Sequence, residues 1–456
     1  MRSKLLAILA ASIVLLTLVS TASMAEVKPV ALGKVYEGGY VVLYSDSTVE
    51  VDGEKYKVRG IDINLETIFT LAYSRNTGKL FITGFYNTSP TSGVSYIILY
   101  NVLSSNIDYM EKYEYKITSE REIKGRLMTE AVYIPEDDIV ASMYSNSTST
   151  YIQVTRVNGE TRIYEAPASL NFYTDGDSVY AALIKDTQFQ GRTARLVTGV
   201  NLVTGETVAE YPSLIPVVDL AIPLVQLYKE GGQWIGYVVV YNPTSGQLEY
   251  YRVEPGSLAL PESDPVVVSP DLKYAVKLSK DGISLILPSG QEAALGYDVR
   301  PAPPTVYLGA EPGNAILDID DQGVLLRVSK GGDTVIIYRS FSGAEKEVYR
   351  IQGIHNRLTG LYAIEDNGRI VLLDPEKSSV MEVEKPDLLS INTQTVKTPA
   401  ENGDRPRSPQ DADTGNPNTT DKVIGPIALV IAGIALVGVV VWRRLKGNEA
   451  REKLEK

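Results

Sequence analysis

Thr334-Val335-Ile336-Ile337-Tyr338-Arg339-Ser340-Phe341-Ser342-Gly343-Ala344-Glu345 reads as a β-rich run, a polar turn with a glycine, and the start of a second run. β-Branched and aromatic residues suit a pleated strand, and Ser-Gly supplies the reversal. The same text returns along the chain. Tyr40-Val41-Val42-Leu43-Tyr44, Ser95-Tyr96-Ile97-Ile98-Leu99-Tyr100 and Tyr237-Val238-Val239-Val240-Tyr241 repeat the strand. Val203-Thr204-Gly205-Glu206-Thr207-Val208 and Pro243-Thr244-Ser245-Gly246-Gln247-Leu248 repeat the turn. Collected, the turns fall at Asp52-Gly53, Ser104-Ser105, Asn158-Gly159, Thr204-Gly205, Ser245-Gly246, Ser289-Gly290, Ser342-Gly343 and Lys377-Ser378. No amphipathic helix of three turns is evident between residues 26 and 388.

The mean spacing of these turns is about 46 residues, the length of one four-stranded propeller blade. Sandwich domains, the competing all-β arrangement, place a turn every ~8–12 residues without that higher period. A second hairpin lies upstream in several units. It occurs at Tyr73-Ser74-Arg75-Asn76-Thr77-Gly78-Lys79, Tyr173-Thr174-Asp175-Gly176-Asp177-Ser178-Val179-Tyr180 and Glu365-Asp366-Asn367-Gly368-Arg369. Its fourth copy, Ser269-Pro270-Asp271-Leu272-Lys273-Tyr274, resembles the blade hairpin of WD40- and YVTN-type β-propellers, and the Thr-Gly outer turns are similar to theirs. The resemblance is spread over residues 26–388 and implies an all-β fold with a single β-propeller. The Gly-His and Trp-Asp dipeptides of a standard WD40 repeat are missing. Eight turns give eight blades, with seven as the alternative. The last unit is one strand short, and a strand near Val27–Val35 is expected to complete it and remove the open edge. The 29 Tyr against 6 Phe fit strands with one wet face.

Composition removes several chemistries from the 456-residue chain. It has no Cys and one His, so disulfide frameworks, zinc fingers, iron–sulfur clusters and multi-histidine metal sites are excluded. His355 is the one residue available to a hydrolase relay, and a structural hydrogen-bonding role is the plainer reading of it. No nucleophile elbow or phosphate-binding glycine loop is present. Trp234 is the single Trp between residues 26 and 388, which disfavours the quinone-dependent dehydrogenase propellers with their tryptophan motif in each blade.

The two ends set an expected topology. Arg2 and Lys4 precede an apolar run from Leu5 to Val19, and Ser23-Met24-Ala25 fits a peptidase site, so residues 1–25 read as a signal peptide. Val423–Trp442 is 20 residues without a charge, long enough to span a bilayer as a helix. Arg443, Arg444 and Lys446 follow as a stop-transfer cluster, which puts residues 443–456 in the cytoplasm as a short basic tail. Residues 389–422 carry Pro399, Pro406, Pro409 and Pro417 with little apolar content, and read as a disordered Pro/Thr/Asn-rich stalk. The net charge is −12; the tail contributes +3 and the leader +2, leaving −17 on residues 26–442. That balance argues against nucleic acid as a partner.

Candidate sites are few. Asp318-Ile319-Asp320-Asp321-Gln322-Gly323 places oxygen ligands at alternate positions before a glycine, which makes Asp318, Asp320 and Gln322 a calcium candidate. Position twelve of that loop is Ser329 instead of a glutamate, and a plain β-turn reads the same residues. Asp175-Gly176-Asp177 and Glu136-Asp137-Asp138 are turns. Asn87, Asn146 and Asn418 each begin a glycosylation sequon. No catalytic residue and no cofactor is assigned. The expectation is an archaeal-type single-span surface protein whose propeller is a non-enzymatic binding or scaffold module for a protein or glycan. A tethered hydrolase using channel carboxylates and a sensor acting through the span are the alternatives.

Overall fold

The computed structural model describes residues 27–388 apart from 61–67, 90, 120–121, 147–148, 166, 170, 190–191, 212–223, 243–246, 258–259, 263, 280–281, 298, 300–313, 354–362 and 375–376. Among the described residues the chain forms 32 strands and no helix. Among the described residues these strands form seven hydrogen-bonded sheets, the first of nine strands; dividing that sheet at its parallel β1–β5 contact gives the antiparallel groups numbered here as units. Unit 1 holds β1 (Pro29–Val35), β2 (Tyr40–Tyr44), β3 (Thr48–Val51) and β4 (Glu54–Lys57). Unit 2 holds β5 (Ile68–Ser74), β6 (Lys79–Ser89), β7 (Ser92–Asn101), β8 (Asn106–Ser119) and a fifth strand, β9 (Glu122–Gly125). Unit 3 is β10 (Leu127–Ile134), β11 (Ile139–Ser145), β12 (Thr150–Arg156) and β13 (Thr161–Glu165). Unit 4 is β14 (Tyr173–Thr174), β15 (Val179–Phe189), β16 (Arg192–Asn201) and β17 (Thr207–Tyr211). Unit 5 is β18 (Leu224–Glu230), β19 (Gln233–Asn242), β20 (Gln247–Val253) and β21 (Leu260–Glu262). Unit 6 is β22 (Val266–Val268), β23 (Ala275–Ser279), β24 (Gly282–Ile286) and β25 (Glu292–Ala294). Unit 7 is β26 (Ala315–Ile319), β27 (Gly323–Lys330), β28 (Asp333–Ser340) and β29 (Glu345–Ile351). Unit 8 has three strands, β30 (Ala363–Asp366), β31 (Arg369–Asp374) and β32 (Ser379–Glu384).

The apolar runs are continuous because each sheet buries both faces. Successive side chains of a strand point to opposite sides. In β7, Tyr96, Ile98 and Tyr100 pack against unit 1 while Ile97 and Leu99 pack against unit 3. In β28, Val335 and Ile337 face unit 6 while Ile336 and Tyr338 face unit 8. Clusters of this kind join every consecutive pair from unit 1 to unit 8. A further cluster, Leu32, Val42, Ile364, Val371 and Leu373, joins unit 8 back to unit 1. The chain is therefore a closed, propeller-like ring of sheets.

This packing corrects the reading of the tyrosines. Tyr96, Tyr100, Tyr113, Tyr133, Tyr173, Tyr211, Tyr228 and Tyr338 are fully buried between sheets instead of facing water. Several hydroxyls reach a partner inside the stack. Tyr228 donates to the Ile286 carbonyl at 2.8 Å, and the Tyr113 and Ser142 hydroxyls lie 2.9 Å apart.

The strand at Pro29–Val35 does not complete the last unit. It pairs along its length with β2 and meets β5 in a short parallel contact, Lys34 with Ala72 and Val35 with Tyr73. Gly33 allows that approach, since a Cβ there would lie 2.0 Å from the Leu71 carbonyl oxygen. Unit 8 closes on unit 1 by face packing. In addition the Gly39 N–H donates to Asp366 at 2.9 Å, and Tyr40 donates to Glu382 at 2.8 Å.

Six of the eight recurring turns join third to fourth strands, at 52–53, 104–105, 158–159, 204–205, 289–290 and 342–343. In each a residue takes a left-handed backbone, such as Asn158 (φ 60°) or Gly343 (φ 95°), which is why Gly, Asn, Asp and Ser recur there. Lys377-Ser378 instead joins second to third strands, so the common spacing hid a change of phase, and Ser245-Gly246 lies outside the described residues. The upstream hairpins join first to second strands. Outer strands such as β4 (Glu-Lys-Tyr-Lys) and β29 (Glu-Lys-Glu-Val-Tyr-Arg-Ile) carry charges that blunt the sheet edges.

Replacing Gly33 by Ala is expected to lower stability by about 1–3 kcal/mol through overpacking against β5. Thermal unfolding of the purified variant checks this, and an unchanged midpoint would mean that β1 and β5 do not approach closely.

Candidate functional site

First strands of neighbouring units touch one another, as β1 does β5 and β30, β18 does β22, and β26 does β30. They converge on the ring axis, the position at which propellers hold a channel and where a site was sought. What lines it is a set of polar side chains that join one unit to the next. Gln226 of β18 bridges to unit 6, its amide donating to the Val266 carbonyl at 2.7 Å and its oxygen accepting from the Val268 N–H at 2.9 Å. Glu130 of β10 accepts from the Phe172 N–H of unit 4 at 2.7 Å. Asp318 of β26 accepts from the Glu365 N–H of unit 8 at 3.0 Å. Units 3, 5 and 7 thus each clamp the following unit by a side chain, and unit 1 joins unit 2 by the parallel backbone contact.

Asp318 also closes the ring electrostatically. Its other oxygen lies 2.6 Å from the Lys34 ammonium of unit 1, which reaches across the edge of unit 8. The carboxylate is buried and the lysine is partly exposed. A buried charge needs such a partner. On the neighbouring turn, Asp320 accepts N–H groups from Gln322 at 2.7 Å and Gly323 at 2.8 Å, and the Tyr338 hydroxyl at 2.9 Å. The Lys385 ammonium lies 2.7 Å from Asp320 and sits over the Tyr338 ring. Burial alone would raise the Asp320 carboxyl, but Lys385 and the turn's donors outweigh it and hold it below the usual carboxylate range.

The calcium candidate therefore has other partners. Asp318 and Asp320 face different lysines, and Gln322 supplies a backbone N–H to Asp320. Among the described residues no three His, Cys, Asp or Glu gather as a metal-binding group. The turn reading of the other acidic stretches matches the structure: Asp138 ties to Lys79 at 2.7 Å, and Asp175 accepts from the Ser178 N–H and the Tyr180 hydroxyl. Asn87 lies in β6 and Asn146 just after β11, both at the end of their unit where second and third strands connect. The Asn146 side-chain oxygen accepts from the Ser149 N–H at 2.9 Å. His355, Asn418, residues 1–25, the span 423–442 and Arg443, Arg444 and Lys446 lie outside the described residues, among which no helix is long and apolar enough to cross a membrane.

Glu130 stands apart from the other axial carboxylates. Among the described residues no cation pairs with it; the residue is half-buried, and desolvation pushes its carboxyl up to about 8 against the single opposing N–H of Phe172. The neighbouring Tyr173 is fully buried, and among the described residues its hydroxyl has no partner. A recess between units 5 and 6, lined by Tyr237, Tyr250, Tyr251, Glu262 and Asp264, has a volume of about 10 Å³, the space of one water. Sequence reasoning passed over Glu130 and Gln226. The available signal was a lone polar residue inside an apolar strand, as in Leu224-Val225-Gln226-Leu227-Tyr228.

No family model and no curated protein matches the sequence. Solved structures similar to the chain include the Dos1 propeller, at 10% identity and TM-score 0.39 over 79% of this chain and 93% of that one. A eukaryotic initiation factor gives 10% and 0.41 over 77% and 82%. The WD40 domain of SCAP from fission yeast gives 9% and 0.28 over 79% and 96%. Scores of this size carry no argument, and the architecture rests on the strand order and the cores between units.

Two predictions follow from the axis. Between about pH 4.5 and pH 8 the folded protein keeps a proton on Glu130 that the unfolded chain has released, so this group's contribution to stability falls as pH rises through that window. Glu130→Gln should flatten the fall, which thermal melts from about pH 5 to pH 9 will read; superimposable wild-type and variant profiles would contradict it. Lys34→Met should destabilise by about 1–3 kcal/mol by leaving Asp318 buried without its cation. In a double-mutant cycle with Asp318→Asn, the coupling should exceed about 0.5 kcal/mol, and additive losses would mean that the pair does not act together.

Proposed function

We propose that the chain is a membrane-anchored, eight-bladed β-propeller outside the cell, acting as a non-enzymatic binding or scaffold module for a protein or glycan. The observation that carries this reading is the use of the axial polar groups. Gln226, Asp318 and Lys34 are engaged from unit to unit instead of converging on open space. A ring held in this way is a rigid support for loops on its two faces, and loops on a rigid scaffold suit recognition. In this reading residues 1–25 direct export, Val423–Trp442 cross the bilayer, and Arg443, Arg444 and Lys446 hold the tail inside.

β32 runs with β30, and the Lys385 N–H beyond it donates to the Gly368 carbonyl at 3.0 Å, on the face that carries the first-to-second-strand turns. Asn87 and Asn146 lie on the opposite face, where β1 begins.

One observation favours a hydrolase instead. Glu130 retains its proton near neutral pH, as a general acid must. Glycoside hydrolysis takes two carboxylates, and among the described residues none pairs with Glu130. The tagged full-length protein, purified from detergent-solubilised envelope, distinguishes the two. The binding reading expects a stoichiometric partner that Glu130→Gln retains. Turnover of glycan or peptide substrates that Glu130→Gln abolishes would replace that reading with the hydrolase. Deletion of 423–442 should release the body into the medium, and continued retention by the membrane would remove the proposed anchor.

A further inference from the structure

We propose that Asn367-Gly368, in the hairpin between β30 and β31, is a self-deamidation site at which Glu365 takes up the Gly368 amide proton, and that the product loosens the seam where the ring closes. The described residues hold two Asn-Gly pairs in hairpin turns, Asn158-Gly159 of unit 3 and Asn367-Gly368 of unit 8. Both asparagines are exposed and left-handed, with φ 60° and 50°, as such turns require. What separates the two pairs is the acceptor that each glycine N–H meets.

Gly159 donates to the Arg156 carbonyl at 2.8 Å. An amide oxygen is too weak a base to take the proton. Gly368 donates to the Glu365 carboxylate at 3.1 Å, and a carboxylate held on an N–H acts as a general base. Glu365 is itself fixed in place. Its own N–H donates to Asp318 at 3.0 Å, and the Lys385 ammonium lies 3.5 Å from the same oxygen that meets Gly368. The departing end is held as well, because the Asn367 side-chain amide donates to Asp366 at 2.9 Å.

In the reaction the Gly368 nitrogen bonds to Asn367 Cγ as its proton passes to Glu365. The Cγ–Nδ2 bond then breaks, Nδ2 takes that proton from Glu365, and ammonia leaves. Water opens the remaining cyclic imide at either carbonyl and gives aspartate or isoaspartate. Position 367 lies on the closing seam: a Cβ placed on Gly38 of unit 1 would sit 3.9 Å from Asn367 Nδ2. The Asp366 oxygen that Asn367 meets also accepts the Gly39 N–H of unit 1 at 2.9 Å. A carboxylate at 367 gives Asp366 a like charge in place of a donor, and so weakens the contact between units 8 and 1 as the protein ages.

Peptide mass spectrometry on the full-length chain, aged in mildly alkaline buffer either folded in detergent or unfolded in urea, tests this. In the folded chain, conversion at Asn367 should run about tenfold or more faster than at Asn158. In urea, where neither turn exists, the two should run alike. Equal rates in the folded chain, or the same ratio in urea, would overturn the site. Glu365→Gln removes the base and should bring folded-state conversion at Asn367 down to that at Asn158; unchanged conversion would assign the difference to something other than Glu365 and overturn its role. A chain break between residues 367 and 368 would make the Asn367 amide the nucleophile and overturn the part given to Gly368. Asn367→Asp, one of the two products, should melt below Asn367→Ser, which loses the donor without adding a charge, and coincident melts would overturn the effect on the seam.

Discussion

Every sheet of this protein is apolar on both faces, and a two-faced apolar sheet is stable only between two neighbours. A linear stack would leave its two end faces in water. Closing the stack removes both ends, so the packing of unit 8 on unit 1 through Leu32, Val42, Ile364, Val371 and Leu373 is the contact on which the other seven interfaces depend. Lys34 and Asp318 reinforce it at the axis, and Tyr40 with Glu382 does so farther out.

Closure also decides what the axis holds. First strands brought together leave backbone groups that no ladder pairs, and an unpaired buried donor is costly. Glu130, Gln226 and Asp318 accept such N–H groups from the next unit. The same side chains that would be read as a polar channel are thereby seam fasteners. Glu130 is the exception in its electrostatics, because among the described residues no cation offsets the cost of desolvating its charge.

Local signals were legible where one residue type answers a local backbone demand. The turns at Asn158-Gly159 and Ser342-Gly343 show in the sequence because a left-handed residue is needed there, and Gly, Asn and Ser tolerate it. The strands show because β-branched and aromatic residues suit a sheet buried on both sides. Phase was harder to read. Lys377-Ser378 resembles the other turns and yet joins a different pair of strands, since a hairpin turn carries no mark of its order within a unit. Tyrosine count was a poor guide to exposure, because a hydroxyl satisfied by a carbonyl such as that of Ile286 lets the ring be buried whole.

The sequence by itself determined the strand-rich body, its period and the chemistries that a chain with one His and no Cys cannot perform. These follow from composition and from backbone preferences that act over a few residues. Only the tertiary structure decided that Pro29–Val35 belongs to the first unit, that Asp318 and Asp320 answer lysines 34 and 385, and that Glu130 meets the Phe172 backbone. The three carboxylate pairings join positions 42 to 284 residues apart, and nothing within a local window distinguishes them from any other Asp, Glu or Lys. They exist because ring closure brings distant first strands to one axis, where each buried polar group must take whatever partner the geometry places beside it.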